Sequence, residues 1–251
     1  MRVYLAMTQT YGMPDSAFKN ADILASYIYL RNNPNLISII PQTRSFLCDS
    51  GLFTFLNSGK KVEMEKYADE YADFVRENNI RDYIELDVDQ LRGVEYTRRL
   101  RDRIEARVGW QSIPVWHTVR GKEAFIQDCK DYPRVAVGFL LAEGLPQKLS
   151  EKYVPWFIDT AHEHGARIHG LGFTKTEKLP LLHFDSVDSS SFTAGGRFGV
   201  YQYFDTATKT MKQVQRKAGT RMPSANALNI HNYHEWRRYQ DWAYNNIPII
   251  W

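Results

Sequence analysis

The sequence contains only two cysteines, Cys48 and Cys129, and they do not form a CxxC pair. This excludes a disulfide framework and a zinc site built from clustered thiolates, and it is typical of a reducing compartment, so we expect the cytoplasm. The chain also lacks a long apolar run at its start. The apolar part of the opening residues MRVYLAMTQTYGMP is too short for a signal sequence or a membrane span. No glycine-rich phosphate loop follows the first apolar run, which argues against a dinucleotide-binding fold.

The chain does contain ample material for a core, with 43% hydrophobic and 14% aromatic residues and a formal net charge of +3. This composition excludes general disorder, and the mild positive charge permits a polyanionic partner without requiring one. The 251 residues include no low-complexity segment and no linker, so we expect a single domain over residues 1–251.

Short apolar runs alternate with amphipathic helical segments along the chain. Seven of these runs are candidate strands, at residues 3–7, 45–50, 82–89, 113–118, 134–140, 167–173 and 184–189. Continuously apolar strands separated by helices indicate a parallel sheet that is covered on both faces. Seven or eight such units in this length predict an α/β fold of the (β/α)8 TIM-barrel type. The segment 195–217 alternates aromatic and polar residues (RFGVYQYFD, 197–205) and then turns basic, which predicts a small β-hairpin near the barrel mouth in the C-terminal third.

Polar residues stand at the ends of several of these strands. They are Asp49, Asp87, Asp89, His117, Glu143, His169, Asp185 and Asp188. The carboxyl ends of barrel strands converge on one face, where the active sites of such barrels lie. A single aspartate there is explained equally well as a helix cap or a turn residue. Carboxylates at three separate strand ends exceed what packing requires, because a buried charge is costly unless it is paired, and they predict a catalytic site.

Five segments resemble motifs of one enzyme family. They are CDSGLFTF (48–55), YIELDVD (83–89), RVAVGFLLAEG (134–144), RIHGLGFT (167–174) and FDSVDSSSF (184–192). In this order they resemble the tRNA-guanine transglycosylases (the queuine and archaeosine tRNA-ribosyltransferases), and they are most similar to the phage and bacterial members that modify DNA. No single segment is specific, but five in the same order are. The resemblance implies a TIM barrel that exchanges guanine for a 7-deazaguanine base in a nucleic acid.

The resemblance also implies roles for the aspartates. Asp49 matches the general acid and base of the family's DSGGF motif. The nucleophile that forms a covalent glycosyl intermediate is either Asp185 or Asp188, and we favour Asp188 because the run Asp-Ser-x-Ser-aromatic matches over five positions. A further carboxylate accepts from the ring N–H and the exocyclic amine of guanine, and this is Asp87, with Asp89 as the alternative.

Further residues of the matched segments are implied to surround the base. The backbone amides of Gly138 and Phe139 are candidates to donate to the guanine carbonyl. The family's glutamine at the end of the neighbouring strand is missing here, and its place falls to His117 by strand position or to Arg120 by sequence match. The remaining candidates for substrate binding are Ser50, Gly51, Phe53, Gly170 and Gly172.

Two departures from the family bear on the partner. The family's zinc site needs three clustered cysteines and a histidine, and the segment NIHNYHEW (229–236) keeps only the histidine, so we expect no metal and no other cofactor. His231 and His234 are then helix-start or surface residues. The chain also stops at Trp251 without an added RNA-binding domain. Both departures favour DNA over tRNA, with the host cytoplasm as the location if a phage encodes the chain.

A polyanion requires a basic surface, and two runs are basic. RRLRDRIEAR (98–107) is typical of a solvated helix face, whereas KTMKQVQRKAGTR (209–221) lies beside the proposed barrel mouth. We therefore expect phosphate contacts from the second region, at Arg197, Lys209, Lys212, Arg216 and Lys217. Nearby aromatic residues are candidates either for stacking on a flipped base or for hairpin core, namely Phe192, Phe198, Tyr201 and Tyr203.

The sequence leaves some partners open. We expect DNA and a small 7-deazaguanine substrate, no membrane partner, and we allow for a homodimer. Two alternatives remain, a zinc-free tRNA-guanine transglycosylase and a barrel subunit that binds nucleic acid without catalysis.

Overall fold

The computed structural model of the chain describes residues 1–52, 63–138, 147–215 and 224–249. Its main sheet has eight parallel strands, β1 (Arg2–Met7), β2 (Asp22–Ser26), β3 (Ser45–Asp49), β4 (Asp82–Tyr83), β5 (Val115–Trp116), β6 (Arg134–Val137), β7 (Arg167–Gly170) and β8 (Ser186–Ser189). They pair in the order β4-β3-β2-β1-β8-β7-β6-β5. A parallel bridge between Ile84 and Ile113 joins the two outer strands and closes the sheet. The prediction of a TIM barrel is confirmed.

Helices follow the strands and cover the outside of the barrel. They are α1 (Tyr27–Leu30), α2 (Pro34–Ser38), α3 (Met64–Glu77), α4 (Asp89–Arg92), α5 (Val94–Val108), α6 (Gly121–Asp131), α7 (Gln147–Glu163), α8 (Leu179–Leu182), α9 (Ala194–Phe198) and α10 (Ala225–Asn246). Short 3-10 turns lie at Asp15–Phe18, Ile40–Gln42, Thr118–Arg120 and Ser191–Thr193. None of the helices in the described ranges is long and apolar enough to cross a membrane.

The predicted hairpin is also confirmed. Strands β9 (Val200–Asp205) and β10 (Thr210–Gln215) pair antiparallel and lie against α10. The hairpin reaches the loop after β7, because the amide of Met211 donates to the hydroxyl of Thr176 at 3.0 Å. Phe204, close to the hairpin turn, packs against Tyr239 and Trp242 of α10, and Gln240 between them donates to the carbonyls of Val3 and Asp22 at the starts of β1 and β2. The hairpin turn therefore lies toward the amino ends of the strands, and the expectation that it lies beside the barrel mouth is corrected.

The helices form for the reason that their sequence patterns suggest. Along α3 the buried residues recur at helical spacing (Met64, Tyr67, Ala68, Tyr71, Ala72 and Val75) and face the sheet. The basic run in α5 was predicted to be a solvated helix face, but this holds only in part, because Arg101 is buried. Arg103 and Arg107 pair with Asp69 and Asp73 of α3 rather than along their own helix.

The barrel interior has its own small core. It consists of Tyr4, Leu24, Leu47, Ile84, Ile113, Val115 and Ala136, with Ala6 and Leu171 packed against it. Side chains alternate between the two faces of a strand, so the residue two positions further on points into the barrel as well. Asp49 follows Leu47 at this spacing, and His117 follows Val115. The alternation therefore aims both polar side chains into the carboxyl end of the barrel.

Candidate active site

Three aspartates from three different strand ends meet at the barrel mouth. Asp49 ends β3, Asp87 follows β4 and Asp188 lies in β8. Burial raises the pKa of Asp49 to about 6; the charges of Asp87 and Asp188 add to this rise, while hydrogen bonds from Ser26 and Gly51 oppose it. The three carboxylates therefore interact electrostatically in one site. A carboxyl group with a pKa near 6 exchanges its proton close to neutral pH, which suits a general acid and base.

The DSG segment holds Asp49 by one oxygen. The hydroxyl of Ser26 donates to Asp49 Oδ2 at 2.7 Å, and the amide of Gly51 donates to the same atom at 3.1 Å. Gly51 has a φ of +71°, and a Cβ there would lie 2.7 Å from Ile28 Cγ2, so only glycine fits this turn. Gly51 shapes the acid–base site instead of contacting the substrate through a side chain.

Ser50 lies in the same segment but points away from any described partner. It is 1% exposed, its carbonyl accepts from the hydroxyl of Tyr67 at 2.6 Å, and its own hydroxyl has no hydrogen-bond partner within the described ranges. The predicted role of Ser50 in substrate binding stays a prediction. Phe53, the next candidate of this segment, lies outside the described residues.

Asp188 is also held by one oxygen. The amide of Gly172, in the loop after β7, donates to Asp188 Oδ1 at 2.6 Å, and His169 Nε2 lies 3.4 Å from the same oxygen. Within the described part of the chain, no donor reaches Asp188 Oδ2. Gly172 thus positions a carboxylate by its amide, a role that differs from the predicted contact with substrate.

Asp87 forms a pair with His117. His117 Nε2 lies 2.9 Å from Asp87 Oδ2, and both side chains are largely buried. The His117 ring rests against Gly138, where a Cβ would come within 2.9 Å of His117 Cε1. His117, rather than Arg120, is thus the residue beside the candidate base-reading aspartate.

Gly138 does not offer its amide to a base. That amide donates to the carbonyl of Trp116 at 3.2 Å, as part of the pairing between β5 and β6. The expectation of a free donor at Gly138 is corrected, because the sheet uses the donor and the residue instead makes room for His117. Phe139, the other expected donor, lies outside the described residues, as does Glu143.

Asp89 and Arg120 belong to a buried ion cluster outside the mouth. Arg120 donates to Asp89 through two nitrogens and to Glu85 Oε1 at 2.7 Å, and all three side chains are almost fully buried. The sequence predicted that Asp89 continues the strand, but Asp89 begins α4 instead. It therefore does not face the same way as Asp87. The alternative of Asp89 as the base reader is therefore wrong, since Arg120 occupies its carboxylate.

Asp185 lies at the opposite end of the barrel. Its carboxylate accepts from the amide of Ile168, at the start of β7, at 2.7 Å and lies 3.0 Å from His162 Nε2. It precedes β8, whereas Asp188 lies three residues further along. The structure does not bring Asp185 to the three mouth aspartates. Its role as a possible nucleophile is corrected to a structural one, because it lies at the other end of the barrel, where Oδ2 takes both the Ile168 amide and the His162 contact while Oδ1 is buried without a partner among the described residues.

Gly170 ends β7, but the position of its missing side chain faces away from the barrel interior. A Cβ at this position would lie 3.0 Å from the ring of Phe184, in the outer core. The residue is glycine because two layers pack closely there, and the predicted contact with substrate is corrected accordingly.

The basic candidates that are described lie on the surface. Arg197, in the last turn of α9 after β8, donates to the hydroxyl of Thr193 at 2.6 Å, Lys209 stands in the hairpin turn and Lys212 in β10, and all three are exposed. Arg216 and Lys217 lie outside the described residues. Of the aromatic candidates, Phe192 is fully buried and is therefore core, whereas Phe198 is 70% exposed and Tyr203 is 42% exposed.

Metal ligands do not cluster in the described part of the chain. No group of three or more histidine, cysteine, aspartate or glutamate side chains there has the arrangement to hold a metal ion. His231 and His234 are exposed on α10, and His231 packs edge-on against Tyr201. These residues do not fit the family's zinc site. The zinc-free protein stays a prediction.

The sequence missed one residue of the site. Ser26, which binds Asp49, ends β2, and β2 is absent from the predicted strands. Its run DILAS continues directly into helical residues, so no turn residues mark where the strand ends. The pairing of Ser26 with Asp49 in the register between β2 and β3 reveals the contact.

Comparison with known proteins supports the fold alone. No protein-family model matches the sequence, and no curated protein sequence matches it significantly. Among solved structures, a protein from Coccidioides immitis provisionally named a fructose-1,6-biphosphate aldolase aligns with a TM-score of 0.56 and 11% identity. The alignment covers 98% of this chain and 89% of the other. At this identity the similarity shows a shared barrel architecture and says nothing about the reaction.

Proposed function

We propose that this chain is a transglycosylase that exchanges guanine for a 7-deazaguanine base in DNA through a covalent aspartyl-glycosyl intermediate. The observation that carries the proposal is the position of Asp49, Asp87 and Asp188 at the carboxyl ends of three strands, where burial first, and then the charges of the other two aspartates, raise the pKa of Asp49. Each of the three stands in a segment that resembles a motif of the tRNA-guanine transglycosylases. The reaction needs three carboxylate functions, and three carboxylates are present.

In the first step Asp188 acts as the nucleophile. Its Oδ2 attacks the anomeric carbon of a guanine nucleotide, a C–O bond forms, and the glycosidic C–N bond breaks. The electron pair of that bond leaves with guanine, and Asp49 gives the departing base a proton. The donor at Gly172 supports this assignment, because it fixes Oδ1 and leaves Oδ2 without a described donor.

In the second step the same residues act in reverse. The carboxylate of Asp49 takes a proton from the incoming 7-deazaguanine, whose ring nitrogen then attacks the anomeric carbon. The C–O bond to Asp188 breaks and the enzyme is regenerated. Two displacements at one carbon retain its configuration, which is the logic of retaining glycosidases with a base in place of water. A pKa of about 6 for Asp49 supports both directions of proton transfer.

Asp87 is the proposed reader of the base. A carboxylate accepts the ring N–H and the exocyclic amine of guanine together, and 7-deazaguanines keep both groups. His117 supports Asp87 by its 2.9 Å contact and stands where the family has a glutamine. A histidine at this place gives the pocket a different donor, so the incoming base need not be that of other members.

DNA is the proposed nucleic acid. The exposed Arg197, after β8, and the exposed Lys209 and Lys212 of the hairpin supply positive charge for a phosphate backbone. The exposed ring of Phe198 is available to stack on a base that leaves the duplex.

The experiment that tests the proposal is base analysis after exchange. The purified protein is incubated with labelled guanine and either duplex DNA or tRNA, and label is measured in the nucleosides. We expect label in DNA. Label in tRNA alone would favour the zinc-free tRNA enzyme, and no label in either, with binding retained, would favour the non-catalytic barrel.

A further inference from the structure

His169 lies inside the barrel directly below Asp188, in a place that the proposed chemistry does not yet use. It belongs to β7 and is 4% exposed. Its Nδ1 lies 2.8 Å from the hydroxyl of Ser186, and its Nε2 lies 3.4 Å from Asp188 Oδ1. The ring of Tyr4 packs edge-on against it at 5.8 Å. The imidazole is thus fixed between a hydroxyl and the candidate nucleophile.

The two neighbours of the imidazole restrict which of its ring nitrogens carries the proton. If only Nδ1 carried the proton, the lone pair of Nε2 would face the carboxylate of Asp188, and two acceptors would oppose each other. A hydroxyl both donates and accepts, so Ser186 is able to donate to Nδ1 and leave the proton on Nε2. The neutral form with the proton on Nε2 and the imidazolium both present a donor to Asp188.

The donor is not yet satisfied. His169 Nε2 is buried, and within the described residues it makes no hydrogen bond of good geometry. A buried polar atom without a partner carries a free-energy cost, which a shorter contact with Asp188 would remove. Contacts of catalytic groups are often long without substrate and shorten in the complex.

We infer that His169 is the positioning residue of the nucleophile, donating from Nε2 to Asp188 Oδ1 so that Oδ2 faces the anomeric carbon. The inference rests on the proposed function of Asp188. With Gly172 it places two donors on one oxygen, which fixes the rotation of the carboxylate. His169 does not touch the reacting atoms, because its ring is buried in the barrel, and it acts through Asp188 alone.

Two substitutions separate a donor from mere filling of space. His169→Gln keeps a donor at the reach of Nε2, whereas His169→Leu keeps bulk and removes it. We expect His169→Leu to slow adduct formation in a single turnover roughly 10- to 100-fold, because misplacing a reacting group costs this much, with DNA affinity unchanged. His169→Gln should restore most of the rate.

His162→Leu is the matched control. His162 forms a similar pair with Asp185, but at the other end of the same strands. Its loss should lower the melting temperature and leave adduct formation within about twofold of wild type, since surface and support contacts far from the chemistry act through stability alone.

The side-chain 15N spectrum gives a readout that needs no activity. Ring nitrogen shifts of His169, assigned by comparison with His169→Gln, should show the proton on Nε2. A neutral ring with the proton on Nδ1 would overturn the inference even if His169→Leu did not fold. The inference would also be overturned if wild type formed the adduct and His169→Leu formed it at the same rate, or if His169→Gln formed it as slowly as His169→Leu. A wild type without adduct on DNA or tRNA would overturn the proposed function as well, which distinguishes the two failures.

Discussion

Asp49 shows how the site opposes stability at the level of a single residue. Folding partly buries its carboxyl group near the charges of Asp87 and Asp188, and among the described residues Ser26 and Gly51 compensate by hydrogen bonds. The charged form is therefore less favourable in the folded protein than in the unfolded chain. The same strain gives the group a pKa suited to moving protons, so we expect this residue to lower the free energy of unfolding while it serves the reaction.

This cost is measurable through pH. Because the pKa of Asp49 is raised to about 6 from 3.8, its contribution to stability is full below pH 3.8 and is lost as the pH rises through 6. Asp49→Asn keeps an acceptor for Ser26 and Gly51 but carries no charge. We expect it to raise the free energy of unfolding by about 1–3 kcal/mol at pH 8 and to have little effect at pH 4, as measured by urea denaturation.

Asp73→Asn is the control with the opposite sign. Its hydrogen bond with Arg107 lowers the pKa of Asp73, so removing its charge should lower stability at pH 8. If Asp49→Asn also lowered the free energy of unfolding at pH 8, the claim that the charged form of Asp49 destabilises the fold would be contradicted.

Gly138 offers a second test at this scale. Gly138→Ala would place a Cβ 2.9 Å from His117 Cε1 and displace the imidazole from Asp87. We expect the KM for the incoming base to rise about 10-fold, because a misplaced polar contact in a binding site costs roughly this much, with kcat changed less. Gly170→Ala, which presses on Phe184 instead, should lower stability and leave KM unchanged. Equal KM values for Gly138→Ala and wild type would refute the role of His117.

At the scale of elements, the junction between β4 and β5 is the weak point of the barrel. Among the described residues, a single bridge between Ile84 and Ile113 pairs these strands. Ions reinforce the junction from outside, since Glu85 accepts from the amide of Val115 at 2.6 Å and from Arg120, which also holds Asp89. Burial raises the pKa of Glu85 to about 7, more than the attraction of Arg120 and Arg101 lowers it. The cluster stabilises the ends of the two strands that carry Asp87 and His117.

Removing Arg120 should therefore open the junction. Arg120→Met leaves Asp89 buried without its ion-pair partner and leaves Glu85 with only the longer contact to Arg101 at 3.6 Å, and we expect a loss of about 3–5 kcal/mol at pH 8. Arg98→Met, which breaks only the exposed pair with Glu95, should cost under about 1 kcal/mol. Similar urea midpoints for the two variants would mean that the cluster does not hold the junction.

The sequence predicted most elements because their patterns are local. The buried positions of α3 and the alternation of the hairpin follow from spacing along the chain. The short β4 and the start of α4 at Asp89 do not follow from local spacing, because Asp89 pairs with Arg120, a partner far along the chain. The spacing of Asp185 and Asp188 likewise gives no sign that one serves each end of β8. The local sequence pattern thus predicted where the strands end at the mouth. Which acidic side chains face the mouth depends on ion pairs between distant residues, and the pattern did not predict this.

At the scale of the whole molecule, the two ends of the barrel have different tasks. The mouth holds the three aspartates, while the other end is tied together by support contacts such as that of Asp185 with Ile168. Helix α10 joins distant parts of the chain, because Gln240 donates to the carbonyls of Val3 and Asp22. The exposed lysines of the hairpin, which packs along α10, are the proposed contacts with a long polyanion.

Salt dependence tests this placement. If Lys209 and Lys212 contact phosphates, the double variant Lys209→Ala/Lys212→Ala should weaken DNA binding and reduce the slope of log K against log salt by about 2. Lys66→Ala, on α3 at the outside of the barrel, should leave the slope unchanged. A slope that is the same in all three proteins would place the nucleic acid elsewhere.

The most direct test of the central claim is which aspartate becomes covalently attached to nucleic acid. Wild type, Asp188→Asn, Asp185→Asn and Asp49→Asn are incubated with guanine-containing DNA and run on denaturing gels. Asp188→Asn removes the nucleophilic charge and keeps the shape, so the trapped adduct should vanish and exchange should fall by several orders of magnitude while binding survives. Asp185→Asn should keep the adduct, because Asp185 supports the other end of the barrel, and Asp49→Asn should lose exchange for lack of an acid. An adduct that persists in Asp188→Asn and disappears in Asp185→Asn would contradict the account.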